Sequence, residues 1–314
     1  MKIHTGTSFL RLRDPVISIG VFDGVHRGHS AIFNIVLQRA KEIGGESAIL
    51  TFWPHPKLVL GKKNIDQLKF LTSLDEKKTL IRKHGIDHLI IIPFTKEFSR
   101  LPACSFVKQY LVEGIGLNHL VFGFDHHFGH RREGNFENLK ACAQINGFGL
   151  EQLEPVREGN CLISSSAIRE ALLRGNVKFA SKLLSYSYCL PGKIIGGSRI
   201  GREIGYPTAN IKPDDEHKLI PADGVYAVKV KVGQGLYNGM MNIGFRPTIN
   251  QIQGDKSLEV HIMNFEADIY NQNININFIE RIRDERKFST LEQLKEQLGK
   301  DKSIALQILS GQTC

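Results

Sequence analysis

The sequence predicts two domains of different class. The first is an N-terminal α/β domain with a Rossmann-like parallel sheet, residues 1–186. The second is a mostly antiparallel β-barrel with C-terminal helices, residues 187–314. Three observations predict this. Apolar runs alternate with helix-period segments through the first part of the chain. A glycine-bearing turn follows the first of those runs. From Leu190 onward the pattern changes to short alternating runs separated by turns.

In the first domain, strand-like runs lie at Val16–Gly20, Ser47–Trp53, His88–Pro93, His119–Gly123 and Phe148–Leu153. Between them, helical periodicity covers Gly28–Ile43, Leu74–His84, Cys104–Ile115 and Phe136–Ile145. Strand–helix alternation predicts a parallel sheet covered on both faces. Ligands of such sheets bind beyond the carboxyl ends of the strands. Three turns stand at such ends: Gly20–His29, Trp53-Pro54-His55-Pro56 and Gly123-Phe124-Asp125, which points to one shared cleft. Further on, Ser164 or Ser165 caps a helix that runs to about Arg174 and is ended by Gly175. A short helix over Val177–Leu184 follows.

In the second domain, Gly224–Val232, Leu236–Ile243, Leu258–Met263 and Ile274–Ile282 read as strands, and Gly233-Gln234-Gly235 reads as a hairpin turn. Thr290–Leu298 and Lys302–Leu309 read as two helical segments. No internal repeat or low-complexity segment is present.

At 314 residues, with 41% hydrophobic and 23% charged residues, the chain has enough apolar material for two cores. No run of about 18 apolar residues exists, and Met1-Lys2-Ile3-His4 leads into no apolar signal core, so a cytoplasmic protein is expected. Of the net charge of +9, residues 1–186 carry +8 and the remainder +1. The basic residues are dispersed rather than clustered. That favours small polyanions such as nucleotides over nucleic acid. Cys104, Cys142, Cys161, Cys189 and Cys314 form no C-x-x-C pair and are expected as isolated reduced thiols.

Gly20-Val21-Phe22-Asp23-Gly24-Val25-His26-Arg27-Gly28-His29 joins a buried strand to a helix N-terminus. Unpaired backbone N–H groups there make an anion site, and His26 and His29, three apart, add side-chain donors. The pattern resembles the nucleotidyltransferase superfamily, and Ile163-Ser164-Ser165-Ser166-Ala167-Ile168-Arg169 resembles its second signature, with Ser166 where threonine is more usual. The resemblance implies that ATP is held by Gly20, Phe22, Asp23, Gly24, His26, Gly28, His29, Ser165, Ser166 and Arg169. It gives His26, His29 and Arg169 catalytic roles.

Gly192–Ile211 carries Gly197, Gly201 and Gly205 at four-residue spacing, with Arg199 and Arg202 among them, but no G-K-[ST] of a Walker loop. Pro207-Thr208-Ala209-Asn210 supplies a hydroxyl and an amide suited to Mg²⁺ held jointly with phosphates. Taken with Asn242–Thr248, Leu258-Glu259-Val260-His261 and Phe278–Phe288, this segment closely resembles riboflavin kinase. The whole chain resembles the prokaryotic bifunctional riboflavin kinase/FAD synthetase family. That resemblance implies FMN and FAD synthesis from riboflavin, FMN and ATP, with Mg²⁺ held by Thr208 and Asn210. Glu259 is implied as the kinase base. Gly197, Gly201, Arg202, Gly205, Pro207, Thr208 and Asn210 are implied on ATP, and Asn242, Arg246 and Arg283 on the flavin. In the first domain Trp53, Pro54, His55, Pro56 and Asp125 are implied on FMN. His126 stands where the family carries an aromatic residue, and a metal site at His126, His127 and His130 lacks further ligands. The partners expected are small molecules, with no membrane, no nucleic acid and at most a weak homo-oligomer. Two other readings are a flavin- or nucleotide-sensing first domain, and a transferase for a different phosphorylated acceptor.

Overall fold

The structure is a computed structural model that describes residues 1–7, 10–61, 68–124, 128–129, 133–196, 201, 204–245 and 256–311. The chain separates into two compact units, Met1–Ser165 and Ser166–Cys314.

The first unit is built on six parallel strands: β1 (Lys2–Thr5), β2 (Val16–Ile19), β3 (Ser47–Trp53), β4 (His88–Pro93), β5 (His119–Gly123) and β6 (Gly149–Leu153). Their order is β1-β4-β3-β2-β5-β6. β2 has β3 on one side and β5 on the other, so the order of connection reverses at its carboxyl end. That is where doubly wound sheets bind ligands. β1 was not expected, because Lys2-Ile3-His4-Thr5 holds one apolar residue. It is an edge strand, paired with β4 in the register Lys2↔His88.

Successive strand residues feed opposite faces. Ile17, Ile19, Leu50, Ile92 and Phe122 join one core with α4 (Ala103–Phe106) and α5 (Phe136–Asn146). Val16, Ile49, Leu89, Ile91 and Val121 join the other with α1 (Arg27–Ile43) and α3 (Leu74–Lys83). Both faces are buried, which is why these strands read as unbroken apolar runs. A short α2 (Pro56–Leu60) follows β3, and α4 continues as a π-helical run over Val107–Glu113. A two-stranded hairpin of β7 (Arg157–Glu158) and β8 (Cys161–Leu162) follows β6.

One expectation is corrected here. Cys104 on α4 and Cys142 on α5 are joined as a disulfide, with Cα atoms 5.8 Å apart. The pair is 38 residues apart in sequence and is brought together by helix packing, so no local spacing announces it. Cys161 and Cys189 are free thiols as expected. Cys314 lies outside the described residues.

In the second unit, α6 (Ser165–Leu173) and α7 (Val177–Leu184) precede a closed barrel. Its strands are β9 (Cys189–Ile195), β10 (Ala209–Pro213), β11 (Gly224–Val232), β12 (Gly235–Phe245), β13 (Lys256–Ile262) and β14 (Asn273–Arg283), closed in the order β10-β13-β12-β11-β14-β9. Every pairing is antiparallel. The β11–β12 hairpin turns at Gly233-Gln234, with Gly233 at φ 56°. The two helical segments expected after residue 290 are one helix, α8 (Leu291–Ser310), which runs through Gly299. A mid-helix glycine costs about 1 kcal/mol. Burial of Ala305 and Leu309 against Ala227, Met240 and Ile279 outweighs it.

Candidate active sites

The first site forms at the carboxyl end of β2. Gly20 leaves the strand with its Cα against the Phe22 ring; a Cβ there would meet that ring at 2.8 Å. The turn then holds Phe22 at φ 49°, Gly24 at 84° and Val25 at 38°. Left-handed backbone at Phe22 and at β-branched Val25 is strained, of order 1–3 kcal/mol each, and such strain collects at binding sites. Its effect is to place His26 at the N-cap of the 17-residue α1, where the His26 side chain accepts the His29 backbone N–H and the His29 side chain accepts the His26 N–H in a capping box. The His26 and His29 rings stack with centroids 3.6 Å apart, and the His26 N–H donates to His29 Nδ1 at 3.3 Å. His26 is buried and His29 half-buried. The two imidazoles and the helix N-terminus thus form one cluster of donors for an anion. Arg27 pairs with Glu158 of the β7–β8 hairpin, tying down the helix start.

The turn is held from two sides. Ser165 Oγ donates to the Asp23 carbonyl at 2.8 Å. The Asp23 carboxylate accepts from the Leu71 N–H at 2.9 Å and the Thr72 N–H at 3.1 Å, and the Gly24 N–H donates to Thr72 Oγ1 at 3.0 Å. Asp23 therefore anchors the turn to the segment at 71–72. Ser166 and Arg169 lie on α6, exposed and half-buried respectively. At the end of β3, Trp53 is half-buried and Pro54 exposed, after a cis Trp53–Pro54 bond. His55 is buried: it caps α2 by accepting the Lys57 N–H at 3.0 Å and stacks on Phe70 at 4.1 Å, with Pro56 opening the helix. Asp125, His126, His127 and His130 lie outside the described residues.

The second site is assembled from barrel strands. Glu259 on β13 sits across from Asn210 of β10 on one side and Asn242 of β12 on the other. Its carboxylate accepts from Ser257 Oγ at 2.9 Å and from Thr208 Oγ1 at 3.3 Å. Pro207 O accepts from His261 Nδ1 at 2.8 Å, which fixes the tautomer of that buried ring; burial holds the His261 pKa below the ordinary imidazole value. Glu259, Asn242, Thr208 and Arg283 line a 300 Å³ cavity with Phe288 and Leu298. Arg283 forks onto Asp301 of α8 at 2.7–3.0 Å, and Asp301 is fully buried. Gly201 approaches Tyr206 so closely that a Cβ would meet its carbonyl at 2.3 Å, and Gly205 has φ 84°. Gly197, Arg199, Arg202 and Arg246 lie outside the described residues.

A larger cavity of 520 Å³ was not anticipated from the sequence. It is lined by Ile194, Thr208, Val260, Phe265, Ile269 and Tyr270, among others. On β13 the alternation sends Glu259 and His261 to the smaller cavity, and Val260 and Ile262 to the larger. Thr208 lines both. The signal for the larger cavity was the apolar alternate set of β13, which reads equally well as ordinary core.

An anion-binding turn at the switch point of a parallel sheet, followed on the same chain by a barrel with a carboxylate facing a cavity, defines a protein with two separate sites for phosphate chemistry. The FAD synthetase family matches residues 10–167, and the riboflavin kinase family matches residues 184–309. The bifunctional riboflavin kinase/FMN adenylyltransferase of Bacillus subtilis is 37% identical over 94% of this chain and 92% of its own length. That of Listeria monocytogenes is 38% identical over 92% and 90%. A crystal structure of a Streptococcus pneumoniae protein described as a macrolide-efflux protein superposes with TM-score 0.85 and 32% identity, covering 93% of this chain and 94% of that one. The chain belongs to the bifunctional riboflavin kinase/FMN adenylyltransferase family, with an FAD synthetase domain followed by a riboflavin kinase domain. Efflux belongs to the description of the streptococcal protein alone. Among the described residues of this chain, no helix is long and apolar enough to cross a membrane.

Proposed function

We propose that the two sites act in sequence: the barrel site phosphorylates riboflavin to FMN, and the β2-end site adenylylates FMN to FAD. The observation that carries this is the pairing of a hydrogen-bonded carboxylate in a barrel cavity with a stacked His26/His29 pair at a helix N-terminus. We divide the catalytic labour at residues 186 and 187 and place the enzyme in the cytoplasm, where its ATP is made.

In the kinase step, the riboflavin 5′-hydroxyl loses its proton to Glu259 as its oxygen attacks the γ-phosphorus of ATP. The bond from that phosphorus to ADP breaks. The Ser257 and Thr208 hydroxyls hold the carboxylate in position for the proton. The flavin occupies the 300 Å³ cavity with Asn242, Arg246 and Arg283, and the base of ATP occupies the larger, apolar one. Thr208 stands where the γ-phosphate meets the hydroxyl. Gly197, Gly201, Arg202, Gly205 and Pro207 close over the phosphates.

Thr208 and Asn210 offer hard, neutral oxygen donors beside one carboxylate, which fits Mg²⁺ shared with ATP phosphates. When bound, Mg²⁺ supplies charge neutralisation of the phosphate oxygens.

In the adenylyl step, an FMN phosphate oxygen bonds to the α-phosphorus of a second ATP and pyrophosphate leaves. No covalent nucleophile is needed. His26, His29 and the α1 N–H groups donate to the charge that spreads over the phosphoryl oxygens. Ser165, Ser166 and Arg169 hold the departing pyrophosphate, Arg169 through its planar fork. Trp53, Pro54, His55, Pro56 and Asp125 form the flavin side. Incubation with riboflavin, ATP and Mg²⁺ followed by chromatography tests the scheme. Both FMN and FAD are expected. FMN alone would remove the assignment of the first unit, and neither product would remove both.

A further inference from the structure

β12 carries a glycine where its in-phase neighbours carry side chains. Met240, Asn242 and Gly244 share one face of the strand, and the first two line the 300 Å³ cavity. Gly244 lies across from Ser257 of β13, two residues beyond the Asn242↔Glu259 pair. A glycine inside a strand weakens it and marks a close approach by another group. Here that group is the Glu285 carboxylate. A Cβ on Gly244 would overlap Glu285 Oε1 and come within 2.7 Å of Oε2. Glu285, exposed just after the end of β14, is itself part of the cavity lining. The chain before it is pinned. Arg283 forks onto Asp301 and donates to the Asp284 carbonyl at 2.9 Å, and the Asp284 carboxylate pairs with Arg281 at 2.8 Å. The exit of β14 therefore delivers the Glu285 carboxylate to a seat that only a glycine leaves open.

Along β13 the polar groups have an order. His261, bonded to Pro207 of the larger cavity, comes first, and Glu259 follows. Ser257, opposite Gly244 and its carboxylate, lies about 7 Å further on by the rise of two strand residues. The seat of Glu285 is thus on the far side of Glu259 from Thr208 and the larger cavity. An ionised carboxylate only accepts hydrogen bonds, and the oxygens of nucleotide phosphates only accept as well. A polyhydroxyl chain offers donors. We propose that Glu285 is a specificity residue of riboflavin phosphorylation: its carboxylate, seated on Gly244, accepts hydrogen bonds from the secondary hydroxyls of the ribityl chain while the terminal hydroxyl lies at Glu259. This rests on the reading that the cavity takes riboflavin. Hydrogen bonds to a charged group are the strong ones, and a site built to bond a hydroxyl rejects the analogue that lacks it. A flavin whose side chain bears the terminal hydroxyl alone is turned away, although the reacting oxygen is present.

The test compares riboflavin with a flavin carrying a 5-hydroxypentyl chain at N10, by kcat/KM for phosphorylation by the full chain with ATP and Mg²⁺. The unsubstituted protein is expected to prefer riboflavin by about 10²-fold. In Glu285→Ala that preference is expected to shrink by about tenfold, because the KM for riboflavin rises and the KM for the analogue does not. Gly244→Ala, whose methyl displaces the carboxylate, is expected to shrink it likewise with Glu285 intact. Adenylylation of supplied FMN by the same chains is the internal control. If Glu285→Ala lowers kcat/KM for both flavins equally, the residue is only structural and the inference is overturned. Should both variants fail to fold, the unsubstituted protein decides: equal kcat/KM for the two flavins overturns the inference. A chain that phosphorylates neither flavin would instead overturn the reading on which the inference rests.

Discussion

In the proposed scheme the two sites handle phosphate by opposite means. At the end of β2 the donors are local: one strained turn presents two stacked imidazoles and a helix N-terminus within ten residues. In the barrel the polar groups are distant in sequence. Glu259, Thr208 and Asn210 meet because β13 and β10 pair across the closed sheet, and the carboxylate is aimed by two hydroxyls. The first site stores its geometry in backbone strain, and the second stores it in strand register. The difference fits the chemistry. Adenylyl transfer from a phosphate nucleophile needs charge stabilisation and no base, whereas phosphorylating a hydroxyl needs a group to take its proton.

Substitutions that separate the two activities sharpen this comparison. Glu259→Gln should have the largest effect. It keeps the hydrogen-bonding shape and removes the base, so riboflavin phosphorylation falls by about 10³-fold while supplied FMN is still adenylylated. Steady-state rates for the two half-reactions measure both. Asp301→Ala comes next. It leaves the half-buried Arg283 fork without its partner on α8 and should destabilise the barrel by about 3 kcal/mol, read by denaturant unfolding, while adenylylation of FMN persists. His29→Ala removes a transition-state donor; FAD formation from FMN should fall about 10²-fold with FMN formation unchanged.

The smallest effect is on acid stability. In the first unit, burial holds His4, His84 and His119 below the ordinary imidazole value; in the second, His261 is held down likewise. A histidine with a depressed folded pKa is neutral in the fold and protonated sooner when unfolded. Its contribution is present above pH 6.5 and is lost as pH falls below that value. Acidification from pH 7.5 to 5.5 should therefore lower the melting of the first unit more than that of the second. His261→Asn should flatten the small dependence of the second unit.

These contrasts also explain what the sequence alone disclosed. The Gly20–His29 turn was legible as a strand-to-helix junction because its glycines and both histidines come from one contiguous stretch. The kinase site was reached through resemblance, because Thr208 and Glu259 are 51 residues apart and nothing in their spacing announces a meeting. The parallel sheet was legible from unbroken apolar runs, except for β1, whose edge position needs no such run. The single α8 was missed because Gly299 and its charged neighbours read as a break, and only tertiary burial of Asp301 and Ala305 carries the helix through. The Cys104–Cys142 pair depends on helix packing that no motif encodes.

The central claim is that the chain holds two separable sites acting in series. Mixing Glu259→Gln with His29→Ala, and following riboflavin, ATP and Mg²⁺ by chromatography, tests it most directly. Neither variant alone should make appreciable FAD from riboflavin. The mixture should, because FMN released by the intact kinase of one chain is taken up by the intact adenylyltransferase of the other. If each variant keeps its own half-reaction and the mixture still yields no FAD, the two sites are not independent and the account is contradicted.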